Sequence, residues 1–331
     1  MAIQPRPTIL VPGRINPRVT DRLAERFDVL RVPHGPDLEL GEAEAARVRG
    51  VAVSGALPGR WIAQLPNLQV ISSFGVGYDA VDVAEAAGRG IVVTNTPDVL
   101  NDEVADTAVA LLINTVRQLP QAETWLREGR WEREGPFPLS PLSLKGRHVG
   151  IHGLGRIGLE IARRLEPFKV RISYHTRRPR ADLGYGYFPS LTALAEAVDT
   201  LISIVPKTPE TFKAINAEVL SALGPNGVLI NVGRGWTVDE EALIDALRDG
   251  TIAGAGLDVF QDEPHVPEEL LTFPNVSLLP HVASASVPTR NAMADLVVDN
   301  LIAWFETGRV LTPVLETPQK PLRQRPYRLT R

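Results

Sequence analysis

Three side chains in the second half of the sequence have the types needed for carbonyl reduction. Arg234 lies between two glycines just after an apolar run, Glu263 precedes a proline, and His281 follows one. A guanidinium can bind a substrate carboxylate, and an imidazole tuned by a carboxylate can donate a proton. Each residue alone is weak evidence, because an acid or a histidine beside proline is usually structural. Together, at the ends of predicted strands, they indicate a site that reduces a carbonyl group.

A glycine pattern at 153–158 precedes these residues in the chain. It follows a predicted strand at 147–152 and begins a predicted helix at 156–166, which is the context that gives a GxGxxG pattern its meaning. The first glycine permits a tight turn, the second lets backbone N–H groups approach a pyrophosphate, and the third lets the helix lie close to the strand. A strand–helix turn without a ligand is the weaker alternative. The predicted cofactor residues are Gly153, Leu154, Gly155, Arg156, Ile157 and Gly158.

The next predicted strand, 170–175, ends without an acidic residue. An NAD site usually has Asp or Glu here to bind the ribose 2′-hydroxyl. This chain instead has His175, Thr176, Arg177 and Arg178. Guanidinium groups can bind a 2′-phosphate, whereas a carboxylate would repel it. The segment therefore favours NADP(H) over NAD(H), although NAD(H) stays possible, and a merely solvated arginine pair is the alternative.

Short apolar runs alternate with helical stretches along the whole chain, which predicts βαβ units and parallel sheets. A long helix starts at Asn101 and is expected to end at Pro120, and a Pro-, Gly- and Ser-rich loop is expected at 129–144. The predicted strands are 8–11, 28–32, 50–54, 68–72, 90–94, 147–152, 170–175, 200–205, 227–232, 253–258 and 276–279. The other predicted helices are 17–26, 80–88, 156–166, 191–197, 216–223, 239–249 and 288–306.

Composition excludes several classes of protein. The chain has 331 residues, 44% hydrophobic and 22% charged, which suits two globular domains rather than a disordered protein. It has no cysteine, which excludes disulfide scaffolds, thiolate metal sites and cysteine nucleophiles. Its net charge of −4 argues against a nucleic-acid partner. No apolar run suits a membrane helix or a signal peptide, and the histidines lack metal-ligand spacing, so we expect a cytoplasmic protein without a metal.

The motifs, taken in order, resemble those of the D-isomer-specific 2-hydroxyacid dehydrogenase family. They are GLGRIG at 153, NVGRGWTVDEEAL at 231, AGLDVFQDEP at 255 and PHVASAS at 280, with VISSFGVGYDAVD near residue 70. The resemblance covers nearly the whole chain and is strongest to the glyoxylate/hydroxypyruvate and hydroxyphenylpyruvate reductases. It implies that Arg234, Glu263 and His281 are catalytic and that Arg234 and the N–H groups of Val76 and Gly77 bind the substrate carboxylate. The remaining residues that it places at the cofactor are Thr107, Val205, Pro206, Val232, Gly233, Asp258, His281 and Ala283.

The glycine pattern at 153–158 is the dinucleotide fingerprint, and its place in the chain indicates how the two domains are ordered along the sequence. In L-lactate and malate dehydrogenases it opens the chain, whereas here it arrives only at residue 153. The resemblance implies two Rossmann-like or flavodoxin-like doubly wound domains, with the cofactor domain, 100–287, inserted into a substrate domain of 1–99 and 288–331. The substrate is then expected in the cleft between the domains. A homodimer is also implied, with Trp125, Trp131 and Phe137 suited either to its interface or to a local core.

These features predict an NADP(H)-preferring reductase of a small 2-oxoacid such as glyoxylate, hydroxypyruvate or an aryl-pyruvate. His281 donates the proton, Glu263 orients it and stabilises its charged form, and Arg234 polarises the carbonyl. Two alternatives stay open. One is a dinucleotide-sensing protein of the family's corepressor branch, which keeps the same residues. The other is a formate- or phosphite-type dehydrogenase, which Glu263 disfavours because formate enzymes usually have glutamine there.

Overall fold

The computed structural model describes residues 6–33 and 40–317 of the chain. They form two compact units. Unit 1 comprises Met1–Leu100 and Ala285–Arg331, and unit 2 comprises Asn101–Ser284. The sequence analysis expects the chain to pass between the domains near residues 100 and 288. In the structure the boundaries between the units fall between residues 100 and 101 and between residues 284 and 285. The basic tail from 318 to 331, expected to be solvated or to lie on a partner, falls outside the described residues.

Unit 1 has a five-stranded parallel sheet with the order β2-β1-β3-β4-β5. This is the flavodoxin-like doubly wound order. Its strands are β1 (Thr8–Pro12), β2 (Asp28–Val32), β3 (Val48–Val53), β4 (Val70–Ser73) and β5 (Val92–Thr94). Its helices are α1 (Pro17–Arg26), α2 (Glu42–Ala45), α3 (Gly59–Ala63), α4 (Val83–Gly88) and α13 (Val287–Thr307).

Helices cover both faces of this sheet, because the strands are apolar on both sides. Trp61 and Ile62 of α3 pack in the core on one face. On the other face, α13 contributes Leu301 and Phe305 to a second core. Ser72 Oγ of β4 also donates to the Val297 carbonyl of α13 at 3.0 Å. The C-terminal helix is therefore an integral part of unit 1.

Unit 2 has a seven-stranded parallel sheet with the order β12-β11-β10-β9-β6-β7-β8. Its strands are β6 (His148–His152), β7 (Arg171–His175), β8 (Gly186–Phe188), β9 (Thr200–Ser203), β10 (Val228–Asn231), β11 (Gly254–Leu257) and β12 (Val276–Leu278). Its helices are α5 (Asn101–Arg117), α6 (Leu119–Arg127), α7 (Arg130–Glu134), α8 (Arg156–Leu165), α9 (Leu191–Ala197), α10 (Ala217–Leu223), α11 (Glu240–Arg248) and α12 (Glu268–Thr272).

This strand order contains the Rossmann order. From β6 the chain adds strands first toward β8 and then, starting with β9, on the other side of β6, so the order of strands along the sheet reverses between β6 and β9. Ligands of such sheets bind beyond the carboxyl ends of the strands at that reversal. One face is covered by α9, α10 and α11, and α5 and α8 lie on the other. The predicted fold class, two doubly wound parallel-sheet units, is confirmed.

The predicted end of α5 and the predicted loop at 129–144 are corrected. Pro120 does not end a helix, because α5 already ends at Arg117, Gln118 takes a left-handed conformation, and α6 begins at Leu119. Proline is tolerated there since the first turn of a helix has no acceptor for its N–H. The loop is partly helical, since α7 occupies Arg130–Glu134.

The aromatic residues of this region mostly form a local cluster. Trp125 and Phe137 pack edge to face with their ring centroids 5.7 Å apart, and the Arg130 guanidinium lies 3.6 Å from the Trp125 ring centroid. Trp125 Nε1 donates to the Gly135 carbonyl. Trp131, by contrast, is 62% exposed. Across the described ranges, no helix combines the length and apolar character that crossing a membrane requires.

Candidate active site

Each glycine of the fingerprint has a different packing environment. A Cβ on Gly158 would lie 2.1 Å from the Gly153 carbonyl oxygen, so only glycine lets α8 start this close to the turn. Gly153 has φ +102°, and a Cβ there would lie 2.8 Å from Val205 Cγ1. A Cβ on Gly155 would meet no described atom within 4 Å. The first and third glycines are therefore required by the protein's own packing, whereas the second leaves open space at the N-terminus of α8.

The ends of three adjacent strands meet at this turn. Val205 follows β9 and contacts Gly153 of the β6 turn, and a Cβ on Gly233, after β10, would lie 2.9 Å from the Val205 carbonyl oxygen. Gly233 N donates to Asn231 Oδ1, and Val232 N donates to the Ser203 carbonyl. Pro206 leads into a turn in which Thr211 Oγ1 donates to the Pro206 carbonyl. The structure thus brings Val205, Pro206, Val232 and Gly233 to the fingerprint end of the sheet.

The residues after β7 form a compact turn. His175 Nδ1 lies 2.9 Å from the Phe188 carbonyl oxygen, and its ring stacks on His152 with centroids 5.7 Å apart. His152 is buried, and burial together with the neighbouring His175 lowers its pKa to about 4. Thr176 Oγ1 donates to the Arg178 carbonyl at 2.6 Å. Arg177 and Arg178 are exposed at the tip of the turn.

Arg180, two residues further on, is a site neighbour that sequence reasoning missed. Its Nη1 donates to the Leu154 carbonyl at 3.3 Å, and its Nη2 pairs with Asp182 at 2.7 Å. Leu154 belongs to the glycine turn, residues 153–158, so Arg180 connects this turn to the arginine turn, residues 176–180. The contact joins residues 26 positions apart, and no local sequence pattern signals it.

His281 and Glu263 form a hydrogen-bonded pair. His281 Nδ1 lies 2.6 Å from Glu263 Oε2, and the side chains are 50% and 33% exposed. The other carboxylate oxygen, Oε1, accepts the Phe260 N–H at 2.9 Å. The glutamate is thus fixed from the backbone side, and His281 Nε2 is left to meet a substrate. This is the orientation that a proton donor needs.

Charge keeps Glu263 ionised at neutral pH. Burial alone would raise the pKa of its carboxyl. The hydrogen bonds from His281 and the Phe260 N–H, together with the charges of His281 and Arg234, lower the pKa by more than burial raises it. The net effect is a pKa below the ordinary value. Glu263 therefore places a negative charge 2.6 Å from His281 Nδ1.

Asp258 fixes the backbone on both sides of the His281 side chain. The carboxylate is fully buried and accepts the Val282 N–H at 2.7 Å and the Ala283 N–H at 2.9 Å. The Asp258 carbonyl accepts the His281 N–H at 2.8 Å. His281 itself has φ +53°, a left-handed conformation that non-glycine residues rarely adopt. Three hydrogen bonds therefore hold His281 in a conformation that it would not otherwise favour.

Thr107 and Ala283 also meet at this loop. Thr107 Oγ1 of α5 donates to the Ala283 carbonyl at 3.2 Å. Burial raises the pKa of the Asp258 carboxyl, and the Val282 and Ala283 N–H groups act against that rise. The resemblance assigns Asp258 to the cofactor, and the structure adds that it supports the His281 loop.

Arg234 lies in the loop after β10. Asn231 Nδ2 donates to the Arg234 carbonyl at 2.9 Å, and Arg234 Nη1 donates to the Gly233 carbonyl at 2.8 Å. A Cβ on Gly235 would lie 1.9 Å from the Phe260 carbonyl carbon. The Arg234 loop therefore packs directly on the backbone that also positions Glu263. The three predicted catalytic residues belong to loops at one edge of one sheet.

A mainly apolar pocket of about 260 Å³ adjoins the Glu263–His281 pair. Its other lining residues are Phe260, Pro264, Val266, Leu271, Leu278, Leu279 and Pro280. Apolar side chains therefore lie along one side of the pair. Among the described residues, no group of three or more His, Asp or Glu side chains has an arrangement suited to a metal ion.

Val76 and Gly77 belong to unit 1, in the loop after β4. Asn95 Nδ2 donates to the Val76 carbonyl at 2.8 Å, and Gly75 N donates to Thr96 Oγ1 at 3.1 Å. Gly75 has φ +152°. The Asn95 and Thr96 side chains, which follow β5, therefore hold this glycine loop in place through its backbone. A fixed loop of this kind can present backbone N–H groups to an anion.

The chain is similar to known proteins over most of its length. Residues 109–283 match the model of the D-isomer specific 2-hydroxyacid dehydrogenase NAD binding domain. The chain is 46% identical to glyoxylate/hydroxypyruvate reductase A of Arabidopsis thaliana, over 89% of this chain and 95% of that protein. It is 47% identical to hydroxyphenylpyruvate reductase of Plectranthus scutellarioides, over 88% and 94% of the two chains.

Among solved structures, the chain is similar to an NADPH-dependent glyoxylate/hydroxypyruvate reductase from Sinorhizobium meliloti, in complex with NADP and malonate. The two are 68% identical, and the TM-score is 0.93 over 97% of this chain and 99% of that one.

Proposed function

Because this chain belongs to the D-isomer-specific 2-hydroxyacid dehydrogenase family, we propose that it is an NADPH-dependent reductase of small 2-oxoacids, with glyoxylate and hydroxypyruvate as its preferred class. The observation that carries the proposal is the Glu263–His281 pair, 2.6 Å apart, at the sheet edge that also holds the fingerprint. The 68% identity to an NADPH-dependent reductase supports the choice of cofactor and substrate.

The residues at the fingerprint fit a dinucleotide. Gly155 faces open space at the start of α8. The protein's own packing does not require glycine at this position, so a ligand is the better explanation for the missing side chain. A helix N-terminus with its free N–H groups favours a pyrophosphate at that place. Arg177 and Arg178 are exposed beside it and suit a 2′-phosphate. In our proposal Gly153, Leu154, Gly155, Arg156, Ile157 and Gly158 hold the pyrophosphate, and the 175–178 segment holds the adenosine end.

The chain's own residues then perform the acid chemistry. The bound nicotinamide cofactor supplies the hydride for C2 of the substrate. Arg234 binds the substrate carboxylate and polarises the carbonyl. The resemblance also gives the Val76 and Gly77 N–H groups a carboxylate-binding role. His281 Nε2 donates a proton to the carbonyl oxygen, while the carboxylate of Glu263 stabilises the imidazolium that this requires. Asp258 keeps the His281 loop in place through the Val282 and Ala283 N–H groups.

A homodimer in the cytoplasm completes the proposal. The homodimer is what the resemblance to the family implies. Leu126 in α6, which is 55% exposed, and Leu139 beyond α7, which is 95% exposed, are available to a partner surface.

The test is a matrix of initial rates. The purified protein is assayed with NADPH and with NADH against glyoxylate, hydroxypyruvate, pyruvate and phenylpyruvate. We expect the highest kcat/KM with NADPH and either glyoxylate or hydroxypyruvate. Saturable NADPH binding without turnover on any 2-oxoacid would instead support a dinucleotide-sensing protein.

A further inference from the structure

We propose that Tyr174 is a positioning residue for cofactor selection, which holds the arginine turn, residues 176–180, in a shape that binds a 2′-phosphate. The inference rests on the proposed NADPH-dependent function. Tyr174 is only 1% exposed, on β7, and so belongs to the sheet rather than to the surface. Its hydroxyl accepts the Arg180 N–H at 2.7 Å and donates to the Arg180 carbonyl at 3.3 Å.

Both hydrogen bonds go to one residue, so a single oxygen fixes the far end of the turn. The near end is fixed at His175, whose ring bonds the Phe188 carbonyl and whose own carbonyl accepts the Gly153 N–H at 3.0 Å. Only Thr176, Arg177, Arg178 and Pro179 lie between these two anchors. Thr176 Oγ1 adds a bond across the turn to the Arg178 carbonyl.

The anchoring matters because both arginines are exposed. A long exposed side chain on a mobile turn would lose backbone and side-chain entropy on binding a phosphate, which weakens the interaction. On a fixed turn the backbone part of that loss has already occurred during folding. Arg180 extends the anchor, since its Nη1 reaches the Leu154 carbonyl of the fingerprint. The distance between the arginine turn, which would bind the 2′-phosphate, and the glycine turn, which would bind the pyrophosphate, is thereby fixed.

The test removes one atom. Tyr174→Phe deletes the hydroxyl and keeps the buried ring, so both bonds to Arg180 disappear. Losing hydrogen bonds worth about 1 kcal/mol in total corresponds to about a fivefold change in affinity. We expect kcat/KM with NADPH to fall about five- to tenfold, kcat/KM with NADH to change less than twofold, and kcat at saturating NADPH to stay unchanged. Thr176→Val should act in the same direction with a smaller effect.

Tyr187→Phe is the matched control. Tyr187 pairs with Tyr174 in the β7–β8 register, with ring centroids 5.6 Å apart, but its hydroxyl has no bond to the arginine turn among the described residues. It should leave both cofactors unaffected. Adenosine 2′,5′-bisphosphate and adenosine 5′-monophosphate, used as competitive inhibitors, give a second readout. In Tyr174→Phe the inhibition constant of the bisphosphate should rise about fivefold, and that of the monophosphate should not.

The outcomes separate the inference from the function on which it rests. A parent enzyme that prefers NADH would contradict the proposed cofactor. A parent that prefers NADPH, with a Tyr174→Phe variant that keeps the same NADPH-to-NADH ratio, would overturn the role of Tyr174 alone. Equal losses with both cofactors would likewise overturn it, since a general structural defect does not discriminate between them.

Discussion

The glycine turn at 153–158 and the catalytic loops lie at the same edge of the unit 2 sheet, yet they are built differently. The turn depends on missing side chains, because a Cβ on Gly153 would lie 2.8 Å from Val205 Cγ1 and a Cβ on Gly158 would lie 2.1 Å from the Gly153 carbonyl oxygen. The catalytic loops depend on oriented side chains, because the Asp258 carboxylate bonds backbone groups 24 and 25 residues away. Missing side chains can be recognised in the sequence as a short glycine motif, whereas the bonds that orient side chains cannot. Substitutions at five residues test this contrast.

The largest effect is expected at the proton donor. His281→Ala should lower kcat by roughly 10²–10⁴-fold, the usual contribution of a positioned general acid. The KM for NADPH should change little, because the glycine turn is intact. Steady-state rates on the best 2-oxoacid provide the measurement. A variant with near-parental kcat would remove His281 from the mechanism.

Removing the support of that donor should have the next largest effect. Asp258→Ala leaves the Val282 and Ala283 N–H groups without their acceptor, and a displacement of about 1 Å at a catalytic group can cost on the order of 10²-fold in rate. Asp258→Asn, which keeps one acceptor oxygen, should lose less. We expect kcat to fall more than the cofactor KM rises. The opposite split would indicate that Asp258 acts mainly on the cofactor.

Glu263→Gln should have a smaller and pH-dependent effect. The pKa of Glu263 lies below its usual value, so the carboxylate is charged throughout the assay range and its stabilising effect is lost only at acid pH. Glutamine keeps the shape of the side chain but removes the negative charge beside His281. The parent should exceed the variant roughly tenfold in kcat/KM at neutral pH, and the ratio should shrink at acid pH, where Glu263 of the parent becomes protonated. A ratio that stays constant toward acid pH would exclude this role for Glu263.

The smallest effect is expected where one methyl group enters the glycine turn. Gly155→Ala should leave Tm unchanged, since a Cβ there meets no described atom within 4 Å. It should raise KM several-fold for NADPH and NADH alike, because the pyrophosphate approaches this point in both. Gly158→Ala is the contrasting variant and should lower Tm, since its Cβ would lie 2.1 Å from the Gly153 carbonyl oxygen. Unchanged cofactor constants in Gly155→Ala would place the pyrophosphate elsewhere.

Sequence reasoning reached the features that local chemistry encodes. The apolar run before Gly153 predicted β6, and the missing acid after β7 directed attention to Arg177 and Arg178. It missed β8, which has only three residues and begins with glycine, and it misread Pro120 as the end of a helix. It also missed the contacts of Arg180 with Leu154 and of Asp258 with Val282. Those bonds depend on the order of the strands in the sheet. That order cannot be read from a short segment of sequence.

The roles of Val76, Gly77 and Arg234 stay predictions that rest on the resemblance. The structure shows that their loops are fixed by Asn95 and Asn231 respectively, which supports a binding role for both. Sequence could name these residues because the motifs around them are specific in combination. It could not show that two asparagines hold the loops.

The packing of α13 on unit 1 has a consequence for the order of folding during translation. Unit 2 is one continuous stretch and has all its residues once Ser284 has left the ribosome. Unit 1 starts earlier but lacks α13, whose Leu301 and Phe305 complete one of its cores and whose Asp299 pairs with Arg22 of α1 at 2.8 Å. The first hundred residues therefore expose an apolar sheet face while the inserted unit folds. Unit 2 can therefore complete its core before unit 1 does, the reverse of the usual N-terminal-first order of domain folding.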